Sequence, residues 1–192
     1  VFEWVPSDFL KFGTSHDYDL LEYYAKGVEY SWLDEHESVL TIEGEYLMNT
    51  RADIWDIFNF FDSKMGRYGK FWVPSWNKDF VISSAYTSTD TVIDVSTNYN
   101  YIYYDDTDII NRHIMLRFPD GTKTYREITT FSGTSITLNE AIGKTELVDY
   151  GTTYVSFLVM ARFDIDKITA SYTMEQIANF PLYFKGIIDE DI

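Results

Sequence analysis

At 192 residues the chain has the length of one domain with a real core, or of a compact scaffold carrying one insertion, and its 45% hydrophobic and 18% aromatic content excludes a disordered chain. Thirty-one acidic residues against 15 basic ones give a formal net charge of −16, which excludes a nucleic-acid surface built on phosphate neutralisation. The absence of cysteine excludes disulfides, thiolate metal sites and thiol nucleophiles, and leaves the redox compartment open.

No window approaches the roughly 18 consecutive apolar residues of a membrane span, and no basic stretch precedes an apolar one as in a secretory signal. A soluble chain without membrane insertion is therefore expected. The sequence begins at Val1, which fits removal of an initiator before a small residue and fits a trimmed chain equally well. Sixteen Tyr, 14 Phe and 5 Trp, with many Thr, Val and Ile, favour strands over helices, because ring and branched side chains suit a pleated, half-buried surface.

Residues 2–26 mix Trp4, Phe9, Phe12, Tyr18 and Tyr23 with Asp and Gly at no clean period and read as an irregular arm with short strands. Residues 28–33 and 39–48 carry strand signals, with Leu40 and Ile42, then Tyr46 and Met48, at period-two spacing; the two are expected to pair in one sheet. Thr50 is a good N-cap with Asp53 three residues on, and Ile54, Ile57, Phe58, Phe61 and Met65 recur at helical spacing. This predicts an amphipathic helix over about residues 51–65, buried against a sheet, with Gly66 as its left-handed cap.

Residues 71–76 hold a Pro and two Trp, and 79–85 read as a strand. From Thr91 a run of short strands is predicted at 91–95, 100–104, 113–118, 123–129, 135–138 and 153–160. Pro119-Asp120-Gly121-Thr122 is a turn signal that predicts a hairpin between 114–118 and 123–128, and Ser132-Gly133-Thr134 leads into the next strand. Residues 162–188 alternate again, with Ile168, Ala170 and Tyr172 on one face, then Phe180, Leu182 and Phe184 on one face of a final strand before the acidic tail Asp189 to Asp191. The predicted fold is mainly β (α+β): one compact chain in which a β-sheet scaffold, residues 1–85 and 161–192, carries an inserted small β-barrel or sandwich module at 86–160.

Catalytic chemistry finds little support. His16, His36 and His113 lack metal-ligand spacing and read as surface or turn residues. Asp105-Asp106-Thr107-Asp108 offers hard oxygens but lacks the mid-loop Gly and terminal Glu of a calcium loop, so it reads as a solvated acidic turn. No G-x-S-x-G elbow occurs, and Gly66-Arg67-Tyr68-Gly69 follows a helix where a phosphate loop would follow a strand. With 31 acids no carboxylate pair stands out. Neither an enzyme nor a metal or other cofactor is expected.

One stretch is far from generic: Ile57-Phe58-Asn59-Phe60-Phe61, then Gly66-Arg67, then Phe71-Trp72-Val73-Pro74-Ser75-Trp76-Asn77-Lys78-Asp79. Arg67 follows a helix C-terminus, where its cation meets the negative dipole end and its planar fork can take carbonyls or Asp79. Phe71, Trp72 and Trp76 offer large apolar area beside Pro74, read first as core and, for one or two of them, as an anchor for a neighbouring subunit. Tyr99, Tyr101, Tyr103 and Tyr104 read as a strand with aromatics on alternating faces, or as rings that stack on sugars.

The stretch from Ile57 to Asp79 resembles a motif of distal tail and tail-tip hub adaptor proteins of long-tailed phages and gene transfer agents. Thr134-Ser135-Ile136-Thr137-Leu138 is similar to a barrel strand of that family, and Ala161-Arg162-Phe163-Asp164-Ile165-Asp166-Lys167-Ile168 to its closing arginine-aspartate strand, so the resemblance spans roughly residues 28 to 188. It implies a virion structural subunit at the tail tip, assembled in the host cytoplasm. It further implies a homo-oligomeric ring, three-fold or six-fold, between tail tube and receptor-binding apparatus, with the tube protein and other tail-tip proteins as partners and no sequence-specific nucleic acid. In such a place the acidic surface would let DNA pass without sticking. Some relatives carry a second arginine-rich turn where this chain reads Asp62-Ser63-Lys64, so contacts made there are not carried over. The alternative is a carbohydrate-binding β-module for host-surface recognition; a cell-wall hydrolase rests on acid abundance alone.

Overall fold

A computed structural model of the chain describes residues 1–7, 10–15, 18–25, 28–35, 39–96 and 112–187, with side chains described for all of these except residues 12–39. Among the described residues the fold is mainly β and antiparallel, with one α-helix. In chain order the elements are β1 (Lys11–Ser15), β2 (Tyr18–Ala25), β3 (Val28–Glu35), β4 (Val39–Met48), α1 (Arg51–Ser63), β5 (Phe71–Pro74), β6 (Val92–Asp94), β7 (His113–Arg117), β8 (Lys123–Ser132), β9 (Ser135–Leu138), β10 (Tyr154–Phe163), β11 (Ser171–Met174) and β12 (Ile177–Gly186). They divide into two compact units. A flanking unit comprises Ser7–Gly69 and Arg162–Ile187, and a central unit comprises Val1–Pro6 and Lys70–Ala161.

In the flanking unit β4 lies between β1 and β12, and period two decides which side chains are buried. Ile42, Tyr46 and Met48 of β4 and Ala178, Phe180, Leu182 and Phe184 of β12 are buried. The register sets Phe184 opposite Ile42 and Phe180 opposite Tyr46. Helix α1 lays Ile54, Ile57 and Phe61 inward, and Phe58 meets Phe180 edge-on at 5.4 Å. The helical spacing of the sequence thus buries the face it predicts as far as Phe61.

Two expectations change here. Residues 28–35 do not join β4; β3 pairs with β2 over eight residues, from Tyr18 opposite Glu35 to Ala25 opposite Val28, in a separate two-stranded sheet. Only two residues separate β2 from β3, so closing that hairpin costs little chain entropy and local pairing wins. The proposed alternating face at Ile168, Ala170 and Tyr172 is also absent, because β11 begins at Ser171 and all its residues are exposed.

The helix ends are set by side chain and backbone together. The Asp53 N–H donates to Thr50 Oγ1 at 3.1 Å, and that hydroxyl donates to Asp53 Oδ2 at 2.6 Å. At the other end Met65 N–H donates to Asp62 O at 2.9 Å and Gly66 N–H to Phe61 O at 3.2 Å, the paired bonds of a Schellman cap. The left-handed cap residue is therefore Met65, φ 52°, with Gly66 at φ 61° behind it, a correction of the sequence reading by one residue. The left-handed turn carries Met65 off the buried stripe and leaves it 69% exposed.

The central unit contains β5 paired to β10, and the antiparallel order β10–β7–β8–β9–β6. The predicted hairpin forms with Arg117 opposite Lys123, and Gly121 at φ 84° supplies its turn. Ile114, Leu116, Ile128, Ile136, Leu138 and Val155 form the centre of its core. Residues 79–85 are not a strand: Phe80, Ile82 and Tyr86 make single bridges to Val155, Val95 and Glu146, three different partners, so no continuous ladder can grow. No closed barrel forms among the described residues.

Because Met65 adopts a backbone that costs an L residue about 1–2 kcal/mol, Met65→Gly is expected to raise stability by about 0.5–1 kcal/mol. Thr50→Ala is expected to lower it by about 1 kcal/mol. Urea unfolding of the two variants checks both signs.

Candidate functional site

The stretch 57–79 crosses the boundary between units at Gly69/Lys70. Its first half secures a turn. Phe61 is buried and meets Phe163 edge-on at 4.9 Å, and Phe60 meets the same ring at 6.1 Å with the Lys64 ammonium over its own face at 5.6 Å. A Cβ at Gly69 would sit 2.7 Å from Lys64 O, so that glycine is sterically required, while at Gly66 the left-handed φ of 61° disfavours a side chain whose Cβ would lie 3.3 Å from the Phe61 ring. Arg67 Nη2 donates to Asp164 O at 2.8 Å and its Nε faces the Asp166 carboxylate at 3.5 Å. The carbonyl bond is the positioning contact, since both side chains of the ion pair are largely solvated.

The same unit presents an apolar groove of about 370 Å³ lined by Arg51, Ile54, Trp55, Phe58 and Tyr172. Trp55 is 61% exposed and Tyr172 62%. Sequence reasoning missed this groove, although a signal existed: Trp55 falls outside the buried stripe of Ile54, Ile57 and Phe61, where a surface helix carries polar residues.

The second half of the stretch belongs to the central unit. Phe71, Val73 and Pro74 are buried on β5, whereas Trp72 is half-buried and stacks on His113 with ring centroids 4.3 Å apart. Phe2 N–H donates to Trp72 O at 2.7 Å, and its ring lies 6.1 Å from Phe71 and 4.9 Å from Trp4.

After β5 the loop is tied to β10 by one carboxylate. Asp79 accepts the Ser75 hydroxyl and, at 2.8 Å, the Phe157 N–H, while Asp79 N–H donates to Val155 O and the Ser156 hydroxyl donates to Asn77 O. Burial pushes the Asp79 carboxyl above its ordinary range, and the two donors only partly offset that. The resulting loop holds Trp76 in a left-handed backbone, φ 57°.

Trp76 sits in an array of rings and cations. Cross-strand register sets Tyr154, Arg117 and Lys123 side by side on β10, β7 and β8. The Arg117 guanidinium lies 4.6 Å from the Tyr154 ring centroid and 5.9 Å from that of Trp76. Lys123 lies 5.4 Å from Trp76, and Lys78 lies 5.4 Å from Tyr154 while donating to Gly151 O. The N-terminal segment closes one end: Glu3 accepts Tyr125 O–H at 2.6 Å and pairs with Lys123 at 3.1 Å. The Tyr125 hydrogen bond, then Lys123, hold the Glu3 carboxyl below its ordinary range, while burial and Glu3 push the Tyr125 phenol up. The Trp76 indole N–H is buried with no acceptor among the described residues.

Sequence reasoning named Trp76, Trp72 and Asp79 but missed Glu3, Lys78, Arg117, Lys123 and Tyr154. The turn signal at 119–122 implied that Arg117 opposes Lys123, but nothing local tied either to residue 3 or 154. Tyr99, Tyr101, Tyr103, Tyr104, the Asp105 to Asp108 cluster, His16, His36 and the acidic tail lie outside the described residues. Among the described residues no three His, Asp or Glu side chains converge as metal ligands.

Asp79→Ala strands the Phe157 N–H and is expected to cost about 1–3 kcal/mol, with Asp79→Asn costing less because the amide oxygen can still accept. The folded state raises the Asp79 pKa, so its protonation contribution to stability is complete below the ordinary carboxyl range and is lost as pH rises through the raised value. Glu3 runs the other way: its contribution is present above the ordinary range and is lost as pH falls through the lowered value. Denaturation across the acid range should therefore show Asp79→Asn and Glu3→Gln altering the pH slope in opposite senses. Compared with known proteins, the chain matches no protein-family model and no curated protein sequence.

Proposed function

We propose that the chain is a structural subunit of a phage tail tip, a distal tail or hub adaptor protein. It forms a homo-oligomeric ring between tail tube and receptor-binding apparatus and acts by assembly rather than by catalysis. The observation that carries the reading is the exposed groove of the flanking unit: Trp55 and Tyr172, both about three-fifths exposed, line an apolar cleft with Phe58 and Ile54. Large rings left in solvent beside a cleft are what a subunit surface keeps for a neighbouring copy. The resemblance of residues 57–79 to tail-tip proteins gives that neighbour its setting, and the acidic balance suits a ring through which DNA passes. The central unit, with its meander of short strands, is the candidate for the inserted sandwich-like module.

A second reading, a carbohydrate-binding β-module, draws on the same groove, because Trp55 and Tyr172 offer ring faces beside the hydrogen-bonding Arg51.

Native mass spectrometry of the purified protein is expected to show a closed oligomer, and Trp55→Ser with Tyr172→Ser to shift it to monomer with unchanged circular dichroism. A wild-type chain that stays monomeric at high concentration and never enters tail particles overturns the assembly reading. Glycan-array binding lost in the same double variant favours the second reading.

A further inference from the structure

In a chain with twice as many acids as bases, four of the described cations have carboxylate partners: Arg67 has Asp166, Lys123 has Glu3, Arg126 has Glu140 and Lys144 has Asp120. Arg117 differs. Among the described residues its guanidinium contacts two ring faces, Trp76 and Tyr154, and makes no hydrogen bond or ion pair. Lys78, which also lies over the Tyr154 ring, has a carbonyl and a ring but no carboxylate. Beside them the Trp76 indole N–H is buried without an acceptor. Here donors outnumber acceptors, on a molecule of net charge −16.

We infer that the face formed by Arg117, Trp76, Tyr154 and Lys78 of the central unit receives exposed carboxylates of a second copy of the chain, joining subunits head to tail. This rests on the assembly reading above and specifies its contact. With the guanidinium 4.6 Å and 5.9 Å from two ring centroids and its N–H groups without a hydrogen bond among the described residues, the planar fork is ordered in advance for a bidentate carboxylate at little further entropy cost. Because cations already lie over both rings, an end-on anion fits this face better than a flat sugar ring. Tyr154, 39% exposed, gives the contact an apolar margin.

Charge selects the occupant and the symmetry. Each copy carries −16, so two copies repel except where a cationic face meets acid. The face cannot pair with its own image across a two-fold axis, since cation would then meet cation. The contact is therefore heterologous, the kind that closes into rings or extends into filaments.

The test is sedimentation and native mass spectrometry of the full chain as wild type, Arg117→Gln and Arg117→Glu, at low and high salt. Near-ultraviolet circular dichroism and the melting temperature confirm that each variant is folded. The glutamine variant keeps a planar side chain in the stack should the reversal impair folding. Wild-type assembly is expected to weaken as salt rises beyond the level that screens the net charge. Association should drop at least about thirty-fold in Arg117→Glu and by less in Arg117→Gln. Carbodiimide cross-linking of a mixture of light and isotope-labelled chains should join Lys78 of one copy to an Asp or Glu of another. Oligomers that persist unchanged in both folded variants overturn this contact and leave the assembly reading standing. A monomeric wild type overturns both.

Discussion

The carboxylate of Asp79 fixes the geometry on which the central unit's surface depends. It takes a hydroxyl from Ser75, four residues back, and a backbone N–H from Phe157 on β10, so both ends of the loop after β5 are tied to one strand. Such a carboxylate is costly to bury, which is why its proton affinity rises, and the cost is offset because each donor would otherwise be unsatisfied. The loop so fastened is short enough that Trp76 must take a left-handed backbone. That conformation in turn sends the indole over Lys123 and Arg117 instead of letting it continue the strand. One largely buried acid thus determines where the cations of two other strands, Arg117 on β7 and Lys123 on β8, find a ring partner.

What the sequence revealed and what it hid follow from the range of the interactions. The Thr50 cap, the buried stripe of α1, the 114–128 hairpin and the alternation of Phe180, Leu182 and Phe184 are periodic or local, and each was legible. The Met65 cap was displaced by one residue because glycine preference is a weaker term than the geometry of the last helical turn. Residues 79–85 misled because alternation records burial, and Phe80, Ile82 and Tyr86 are buried while bridging to three separate partners. Strand β3 misled because period two gives a face without giving a partner. In the candidate site Arg67 was foreseen to take carbonyls, which it does at Asp164, whereas Glu3 with Lys123 and Tyr125 joins residues about 120 apart in sequence, beyond any window.

The distribution of charge connects the fold to its proposed use. A formal charge of −16 resists compaction and self-association alike, so the interactions that overcome it must be apolar or locally cationic. The flanking unit offers the first kind in the groove of Trp55 and Tyr172. The central unit offers the second in Arg117 and Lys78, where aromatic rings take the place of the carboxylates that neutralise the neighbouring cations. A guanidinium stacked on rings keeps its full charge and its hydrogen-bonding edge, so it remains attractive to an acid at close range. Screening limits that attraction to about 10 Å at ordinary salt, which means the contact orders subunits only after the long-range repulsion between copies has itself been screened. Assembly governed by these two terms passes through an optimum: too little salt preserves the repulsion of the net charge, and too much removes the cation's hold.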